Sequence, residues 1–293
     1  MVSILLILFV GWKNRLGNEK RELLDLWSGG DYDACARLSG MRLQDKPLDY
    51  FLLTIHGFSA YQLGIVQINS NDTLSYIDES IWSLRKALLH KAGAGDGRVY
   101  YVLGKAYYYK GTGYADLAVK YLEKARELAY GAEDIPEYLG LAYAAVRDYR
   151  SSVAAFSLAL DQPGKADEDA AGGTGGGISD VLLLSIARSY LALDELESAR
   201  AYLVRCVEGT MDSTVRIAAR FLLGEILGKT GDSEGAEAQY MIILEESGEN
   251  AEARYQIGEL YAARGDTTRA RAEWRRAVRA DSAHAKARVR LNM

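Results

Sequence analysis

The side chains with the most reactive chemistry in this chain are three histidines and two cysteines. His56, His90 and His284 lie in no HExxH motif, the spacing by which two histidines of one helix bind zinc. Cys35 and Cys206 form no CxxC pair, so the common zinc and thiol-redox motifs are absent. Neither cysteine accompanies a histidine that would serve as its base. We therefore expect no catalytic residue, no metal site and no cofactor, and predict that the chain is not an enzyme.

A glycine run is the next candidate for chemistry, because glycine-rich loops bind phosphate groups. Residues 172–177 read Gly-Gly-Thr-Gly-Gly-Gly. A phosphate-binding loop needs a strand before the glycines and a Gly-Lys-Ser/Thr sequence after them. Here helical sequence flanks the run, and the nearby lysine, Lys165, precedes it. We predict instead a flexible linker over residues 164–179.

The elements that position the remaining side chains follow from an internal repeat. Near the end of the chain, a large residue followed by glycine, a Gly-Asp pair, an alanine and an aromatic residue recur after 34 residues. These positions are Leu223-Gly224, Gly231-Asp232, Ala236 and Tyr240, which return as Ile257-Gly258, Gly265-Asp266, Ala270 and Trp274. Small residues let two helices approach closely, and the aromatic residue fills the space beside them. One such unit cannot bury its apolar face alone, so several must stack.

This pattern resembles the tetratricopeptide repeat, a helix-turn-helix unit of 34 residues. Three earlier units follow the same order, with small residues at Gly104, Gly140 and Ala187. The resemblance implies an all-α fold, an α-solenoid of stacked helix pairs in a right-handed superhelix. Cys35 and Cys206 fall at small-residue positions of the pattern, where we expect buried free thiols.

The repeat divides the chain into six segments. In the least regular of them, Gly57 is the small residue of one unit, which residues 65–80 make longer than normal, and Gly30 begins the inter-helix turn of another. The segments are an apolar N-terminal segment (1–15), degenerate repeat-like helices (16–96), two regular units (97–163), the linker (164–179), three regular units (180–284) and a terminal capping helix (285–293).

The N-terminal segment is apolar over residues 2–12, and basic residues follow at Lys13 and Arg15. The run is shorter than the roughly 20 residues that span a bilayer. Three hypotheses stay open: the end of a signal anchor that starts upstream, an interfacial anchor with Trp12 at the water boundary, or an apolar helix packed on the first repeat. We favour a membrane or export role because residues 4–10 are apolar on every side. The protein would then be membrane-associated or exported, and otherwise cytoplasmic.

In the tetratricopeptide family, the first helix of each unit lines a concave groove, and the resemblance implies that fixed positions of that helix contact a partner. The N-terminal half of this groove is rich in tyrosine, which combines contact area with a hydrogen-bonding hydroxyl. The alternative is that some of these side chains pack against a neighbouring helix or residues 65–80. The predicted partner-binding residues are Phe51, Phe58, Tyr61, Arg98, Tyr101, Lys105, Tyr108, Tyr109, Leu141, Arg188, Phe221 and Tyr255.

Groove chemistry narrows the class of partner. Some family members clamp acidic peptide tails with lysine and asparagine, but the corresponding positions here hold Tyr101, Lys105, Glu137 and Leu141. A peptide or helix with apolar anchors is the better match. We predict a non-enzymatic scaffold or assembly factor for a protein partner, tethered to a membrane if residues 2–12 are an anchor, and compatible with a homo-oligomer. The alternative is a carrier of an apolar small ligand or lipid in the groove.

Charge is distributed unevenly along the chain. Residues 264–290 contain nine basic and three acidic side chains, a net charge of +6 that leaves -11 on the rest. Nucleic acid is not the expected partner, because the pI is about 5.4 and no aromatic platform accompanies the arginines. Docking of this stretch on an acidic protein surface or an anionic membrane fits its charge better.

Overall fold

The computed structural model describes residues 17–161 and 179–292. Within these ranges the chain forms sixteen α-helices and no strand, which confirms the predicted all-α fold. The helices belong to two compact units, which we describe separately. The apolar run 2–12 and nearly all of the predicted linker lie outside the described residues. Among the described helices, none is both long enough and apolar enough to cross a bilayer.

The first unit packs its helices in consecutive pairs, α3 with α4, α6 with α7 and α8 with α9, while α2 packs on α3. Its core is continuous from α1 to α9. A 3-10 turn (Thr112–Tyr114) precedes α7. The helices are α1 (Asn18–Ser28), α2 (Tyr32–Asp45), α3 (Tyr50–Ile65), α4 (Ser70–Ala87), α5 (Lys91–Ala94), α6 (Gly97–Lys110), α7 (Ala115–Glu127), α8 (Ile135–Ala145) and α9 (Tyr149–Leu160).

The second unit repeats the arrangement with three further pairs, α10 with α11, α12 with α13 and α14 with α15, and a last helix that packs on α15. Ser179 caps α10 by accepting a hydrogen bond from the backbone of Leu182. The helices are α10 (Asp180–Ala192), α11 (Leu196–Gly209), α12 (Ser213–Lys229), α13 (Ser233–Ser247), α14 (Ala251–Ala263), α15 (Thr267–Ala280) and α16 (Ala285–Asn292).

Close contact within a pair depends on a glycine in its first helix. A Cβ added at Gly140 would lie 2.4 Å from the Phe156 ring, so alanine does not fit there without displacement. The same relation holds in four other pairs of the described chain. These glycines and the side chains that they admit are Gly57 with Leu84, Gly104 with Leu122, Gly224 with Tyr240 and Gly258 with Trp274.

Five of the turns between consecutive helices share one backbone conformation. A residue with positive φ ends the first helix, and an acidic residue follows as the N-cap of the second. Glycine adopts a positive φ without a steric penalty, whereas other residues are strained there. The positive-φ residues are Gly30, Arg147, Asp194, Gly231 and Gly265.

Both cysteines are free and buried, as predicted. Burial raises the pKa of the Cys35 thiol, and burial followed by the charge of Asp180 raises that of Cys206 to about 11. Neither is therefore a ready nucleophile near neutral pH.

Candidate partner-binding surface

Five of the twelve predicted contact residues are buried in the structure and offer no open groove surface, and their part in partner binding stays a prediction. They are Phe51, Phe58, Tyr61, Tyr101 and Lys105, each at most 8 % exposed. The first helices of successive pairs, α3, α6 and α8, contact one another directly. Side chains at these positions therefore fill the space between neighbouring helices, which is the alternative that the sequence left open.

Phe51 and Phe58 pack toward α1. The Phe58 ring lies 6.2 Å from that of Trp27, and the Lys20 ammonium lies 5.0 Å from the centre of the Phe51 ring. These two phenylalanines stabilise the contact between α1 and α3 rather than offering a surface to another molecule.

Lys105 on α6 forms a buried ion pair at the base of the next first helix. Its Nζ lies 2.7 Å from Oδ2 of Asp134, the residue that precedes α8. The Tyr101 hydroxyl donates to the same carboxylate, at 2.7 and 2.9 Å from its two oxygens, and accepts a hydrogen bond from Lys105 at 3.1 Å. The carboxylate thus neutralises the ammonium inside the protein.

Aromatic rings surround the same ammonium. Nζ of Lys105 lies 4.1 Å from the ring centre of Tyr138, 5.1 Å from that of Tyr101 and 6.0 Å from that of Tyr61. A cation close to an aromatic face is attracted by the ring electrons. The buried pair therefore also fixes the position of Tyr138, whose other contacts are nearer the surface.

Three tyrosines form the accessible layer above this pair, and we call them the tyrosine cluster: Tyr108, Tyr109 and Tyr138. Tyr108 packs edge-on against Tyr109 and Tyr138, with ring centres 5.5 and 5.4 Å apart. The hydroxyls of Tyr109 and Tyr138 lie 3.0 Å apart. Tyr109 is 37 % exposed, while the other two are half-buried. The cluster spans α6 and α8, and Tyr109 is its most exposed member.

The phenols of Tyr101, Tyr108 and Tyr138 stay protonated near neutral pH. Burial first, and then the nearby Asp134 carboxylate, raises the pKa of Tyr101. Burial also raises the pKa of Tyr138, followed by its hydrogen bond with Tyr109, and it raises that of Tyr108. Neutral hydroxyls and aromatic faces suit the cluster to binding rather than to proton transfer.

Tyr61 differs from its neighbours in hydrogen bonding. Its hydroxyl is buried and has no hydrogen-bond partner among the described groups. Its ring meets that of Tyr109 edge to face, with centres 6.2 Å apart. Burial of a hydroxyl without a hydrogen bond costs free energy, so Tyr61 lowers the stability of the packing beside the tyrosine cluster.

Arg98 lies apart from this cluster in a local network. Its guanidinium donates two hydrogen bonds to Asp96, 2.9 and 2.7 Å long, and the Tyr50 hydroxyl donates to the same carboxylate at 2.7 Å. Burial opposes ionisation of Asp96, but the hydrogen bonds from Arg98 and Tyr50 outweigh it and lower its pKa. The Asp96 carboxylate therefore connects the start of α6 to Tyr50 of α3.

The remaining predicted contact residues are more accessible. Leu141 is half-buried on α8, and in the second unit Arg188 is exposed on α10. Phe221 and Tyr255 are half-buried there, with rings 5.9 Å from Tyr240 and 5.3 Å from His284. No contact among the residues of this group creates a second tyrosine cluster.

Two members of the site were missed by the sequence reasoning. Asp134 stands 36 residues after Arg98, at the same position of the next first helix, so the repeat pattern contained the signal. Tyr138 occupies a position that the family pattern does not assign to the groove, and only the packing of α8 on α6 brings it beside Lys105.

The histidines do not assemble a reactive site. His56 is buried, with Nδ1 3.0 Å from both the Ser39 hydroxyl and the Ala36 carbonyl and Nε2 3.0 Å from Glu79. Ser39 is fully buried and donates to the Cys35 carbonyl, so it is a packing residue rather than a nucleophile. No group of three metal-ligating side chains occurs within the described residues.

One hydrolase-like pattern escaped the sequence reasoning, because residues 231–235 read Gly-Asp-Ser-Glu-Gly and match GxSxG. The nucleophile of that motif sits between a strand and a helix. Here the residues form the turn from α12 to α13, where Asp232 accepts a hydrogen bond from the backbone of Gly235. The pattern is a helix cap.

Comparison with known proteins identifies the repeat. The family profile of the tetratricopeptide repeat matches residues 251–284, which contain α14 and α15. No curated protein sequence matches the chain.

Solved structures share the fold at low identity. The C-terminal part of a TPR repeat-containing protein from Cytophaga hutchinsonii has a TM-score of 0.63 at 14 % identity, covering 94 % of this chain and 100 % of that structure. YrrB, a TPR protein with an unusual peptide-binding site, gives 0.54 at 21 %, covering 72 % and 98 %. PilF from Pseudomonas aeruginosa gives 0.54 at 13 %, covering 80 % and 95 %. At these identities the likeness concerns the fold.

Proposed function

Because the chain is a tetratricopeptide-repeat protein, we propose that it is a non-enzymatic scaffold that binds a partner protein through the tyrosine cluster of its first unit. The observation that carries the proposal is the construction of that cluster. Tyr108, Tyr109 and Tyr138 are accessible rings held on a buried base, the Lys105–Asp134 pair. Rigid aromatic anchors lose little entropy on binding, which is why tyrosine dominates binding hot spots.

The chemistry of the cluster selects a neutral partner segment. Lys105 is the cation closest to the rings, and its charge is already neutralised by Asp134. An acidic peptide therefore gains little from it, whereas an apolar or proline-containing segment can stack on the rings and accept hydrogen bonds from the hydroxyls. YrrB is a peptide-binding relative in fold, and its example supports the class of ligand proposed here.

Photo-cross-linking in the native cell tests this proposal. A cross-linking residue at position 109 is expected to capture a specific partner, whereas the same residue at Tyr149 on α9, outside the cluster, is not. With the captured partner purified, Tyr109→Ala is expected to weaken binding at least about tenfold, as hot-spot tyrosines do. Capture of the same proteins at both positions, or an affinity unchanged by Tyr109→Ala, would overturn the proposal.

Salt dependence provides a second readout of the same proposal. Because the buried ion pair leaves no free cation in the cluster, the affinity is expected to change little between about 0.05 and 0.5 M salt. A steep loss of affinity with salt would indicate an ionic interface elsewhere on the protein.

The carrier of an apolar small ligand is a second candidate function. An open groove of about 700 Å³ beside α2 supports it, with Leu26, Met41, His56, Tyr76 and Glu79 among its lining residues. Native mass spectrometry of the purified protein would reveal a retained ligand. A clean apo mass would count against the carrier and leave the scaffold proposal unaffected.

A further inference from the structure

A second surface with distinct chemistry lies at the end of α4. Trp82 is 56 % exposed and Leu89 is 78 % exposed, unusually high values for large apolar side chains. Trp82 lies in the last turns of α4, and Leu89 follows the end of that helix by two residues, in the turn that leads to α5. Residues 82–91 contain three basic side chains, Arg85, Lys86 and Lys91, and no acidic residue.

The cations of this stretch are interleaved with aromatic rings. The Lys86 ammonium lies 3.4 Å from the centre of the Trp82 ring. The Arg85 guanidinium interacts electrostatically with the phenol of Tyr107 on α6. The Tyr107 ring centre lies 6.2 Å from that of Tyr114, whose side chain is exposed.

A third lysine extends the same surface. Lys110 Nζ lies 4.7 Å from the centre of the Tyr114 ring, so a cation again accompanies an exposed aromatic side chain. Together these residues form one surface across α4 and the α6–α7 turn, which we call the aromatic-basic face: Trp82, Arg85, Lys86, Leu89, Lys110 and Tyr114.

Two acids of α4 near this face already have partners, and one of those partners, Lys110, is a member of the face. Asp78 forms an ion pair with Lys110 at 2.5 Å, and Glu79 bonds His56 on the other side of the helix. Asp116 at the start of α7 is the exposed acid nearest in sequence to Tyr114. The positive charge at Arg85, Lys86 and Lys91 is therefore not balanced by acids in its own stretch of chain.

We propose that the aromatic-basic face docks on an anionic lipid surface. Trp and Tyr side chains partition to the boundary between water and acyl chains, and nearby Lys and Arg side chains contact anionic headgroups. The exposed Leu89 decides between anionic partners, because an aliphatic side chain gains from contact with acyl chains but offers a nucleic acid neither charge nor a stacking ring. The aromatic-basic face includes neither residues 2–12 nor any member of the tyrosine cluster.

Vesicle flotation of the full chain tests the proposal. The vesicles contain phosphatidylcholine alone or with about 30 % phosphatidylglycerol, and every variant keeps residues 2–12, so their contribution is constant. We expect binding that requires the anionic lipid. Trp82→Ala with Leu89→Ala is expected to lower the partition coefficient about tenfold, and Arg85→Gln with Lys86→Gln to lower it about fivefold per cation.

Matched control variants distinguish binding by this face from non-specific adsorption of the protein to vesicles. Val181→Ala with Met211→Ala removes two similarly exposed apolar side chains from the second unit, at 58 % and 92 % exposure. Arg200→Gln with Lys229→Gln removes two exposed cations there, outside the basic stretch 264–290. Both are expected to bind vesicles like the unmodified chain. Circular dichroism confirms that each variant remains folded, as expected for exposed positions.

Three results would overturn the proposal. The first is no binding to the anionic vesicles, and the second is an equal loss in the control variants. The third is tighter binding of a single-stranded oligonucleotide than of the vesicles with the same dependence on Trp82, which would assign the face to nucleic acid instead.

Discussion

Replacement of Asp134 by asparagine is the most direct test of the buried Lys105–Asp134 ion pair beneath the tyrosine cluster. Asp134→Asn keeps the shape of the side chain but removes the charge that neutralises Lys105, whose side chain is only 8 % exposed. An ammonium buried without its counter-charge costs about 3–5 kcal/mol of unfolding free energy. Lys105→Met removes the other charge while keeping the apolar stem, and leaves the carboxylate with the Tyr101 hydroxyl.

The double variant gives the decisive comparison. Lys105→Met combined with Asp134→Asn leaves no buried charge, and such neutral replacements of ion pairs are often close to neutral in stability. We expect the double variant to be less destabilised than Asp134→Asn alone, with a coupling free energy of at least about 2 kcal/mol between the two sites. Additive effects of the two single changes would refute the reasoning.

Urea unfolding is the appropriate assay, because urea does not screen charge. Trp27 and Trp82 report on the first unit, whereas Trp274 lies in the second. A chain with two units need not unfold in one step, so fluorescence and circular dichroism are fitted together. We expect the first unit's transition to shift and the second unit's to stay in place.

Four further predictions follow from the packing and the titrating groups. Gly140→Ala should cost about 1–3 kcal/mol in urea unfolding, because its Cβ would lie 2.4 Å from a phenylalanine ring. Arg147→Gly should raise the stability of the first unit by about 0.5–1 kcal/mol, since φ is 64° at this exposed position. Cys206 should react with iodoacetamide at pH 8 only on unfolding, since burial raises its pKa to about 11. A hydrogen bond from His56 lowers the pKa of Glu79 below its ordinary 4.5. The folded protein therefore gains stability from this carboxylate above about pH 4.5 and loses it as the pH falls through the lowered pKa. Acid unfolding of Glu79→Gln should lack this component.

Each of these predictions has its own control. Gly209→Ala is the match for Gly140, because a Cβ there meets no atom within 4 Å, and an equal cost at both positions would contradict the packing argument. Asp194→Gly is expected to stabilise the second unit as Arg147→Gly does the first, since φ is 60° there. Labelling of native Cys206 as fast as that of a free thiol would contradict its burial. An acid transition unchanged by Glu79→Gln would contradict the assigned linkage.

The repeat in the sequence predicted the helix pairs because their packing is local. The glycine and its large partner lie 16 residues apart at Gly140, Gly224 and Gly258 and 18 apart at Gly104, so one repeat pattern contains both sides of the contact. The turns were equally readable where glycine precedes aspartate, as at Gly231 and Gly265. At Arg147 and Asp194 the backbone adopts the same left-handed conformation without glycine, and the residue type gives no sign of it.

The site was less predictable because it depends on contacts between pairs. The positions of Tyr101 and Lys105 in the repeat indicated a groove, but the degree of contact between α3, α6 and α8 decides whether those positions face solvent. A lysine at a groove position normally implies a free charge. Here Asp134, which is distant in sequence, neutralises the lysine. The accessible side chains at this place are those of Tyr109 and its neighbours.

The glycine contacts also bear on how such a chain grows and shrinks in evolution. In the five pairs that contain such a glycine, the glycine and the large side chain that needs it belong to the same repeat. Gene duplication or loss of a whole 34-residue unit therefore carries both partners together and creates no clash between Leu, Phe, Tyr or Trp and the wrong neighbour. A crossover inside a unit would instead join the glycine of one pair to the partner of another. Recombination at the borders of units therefore leaves each glycine with a partner that it already accommodates.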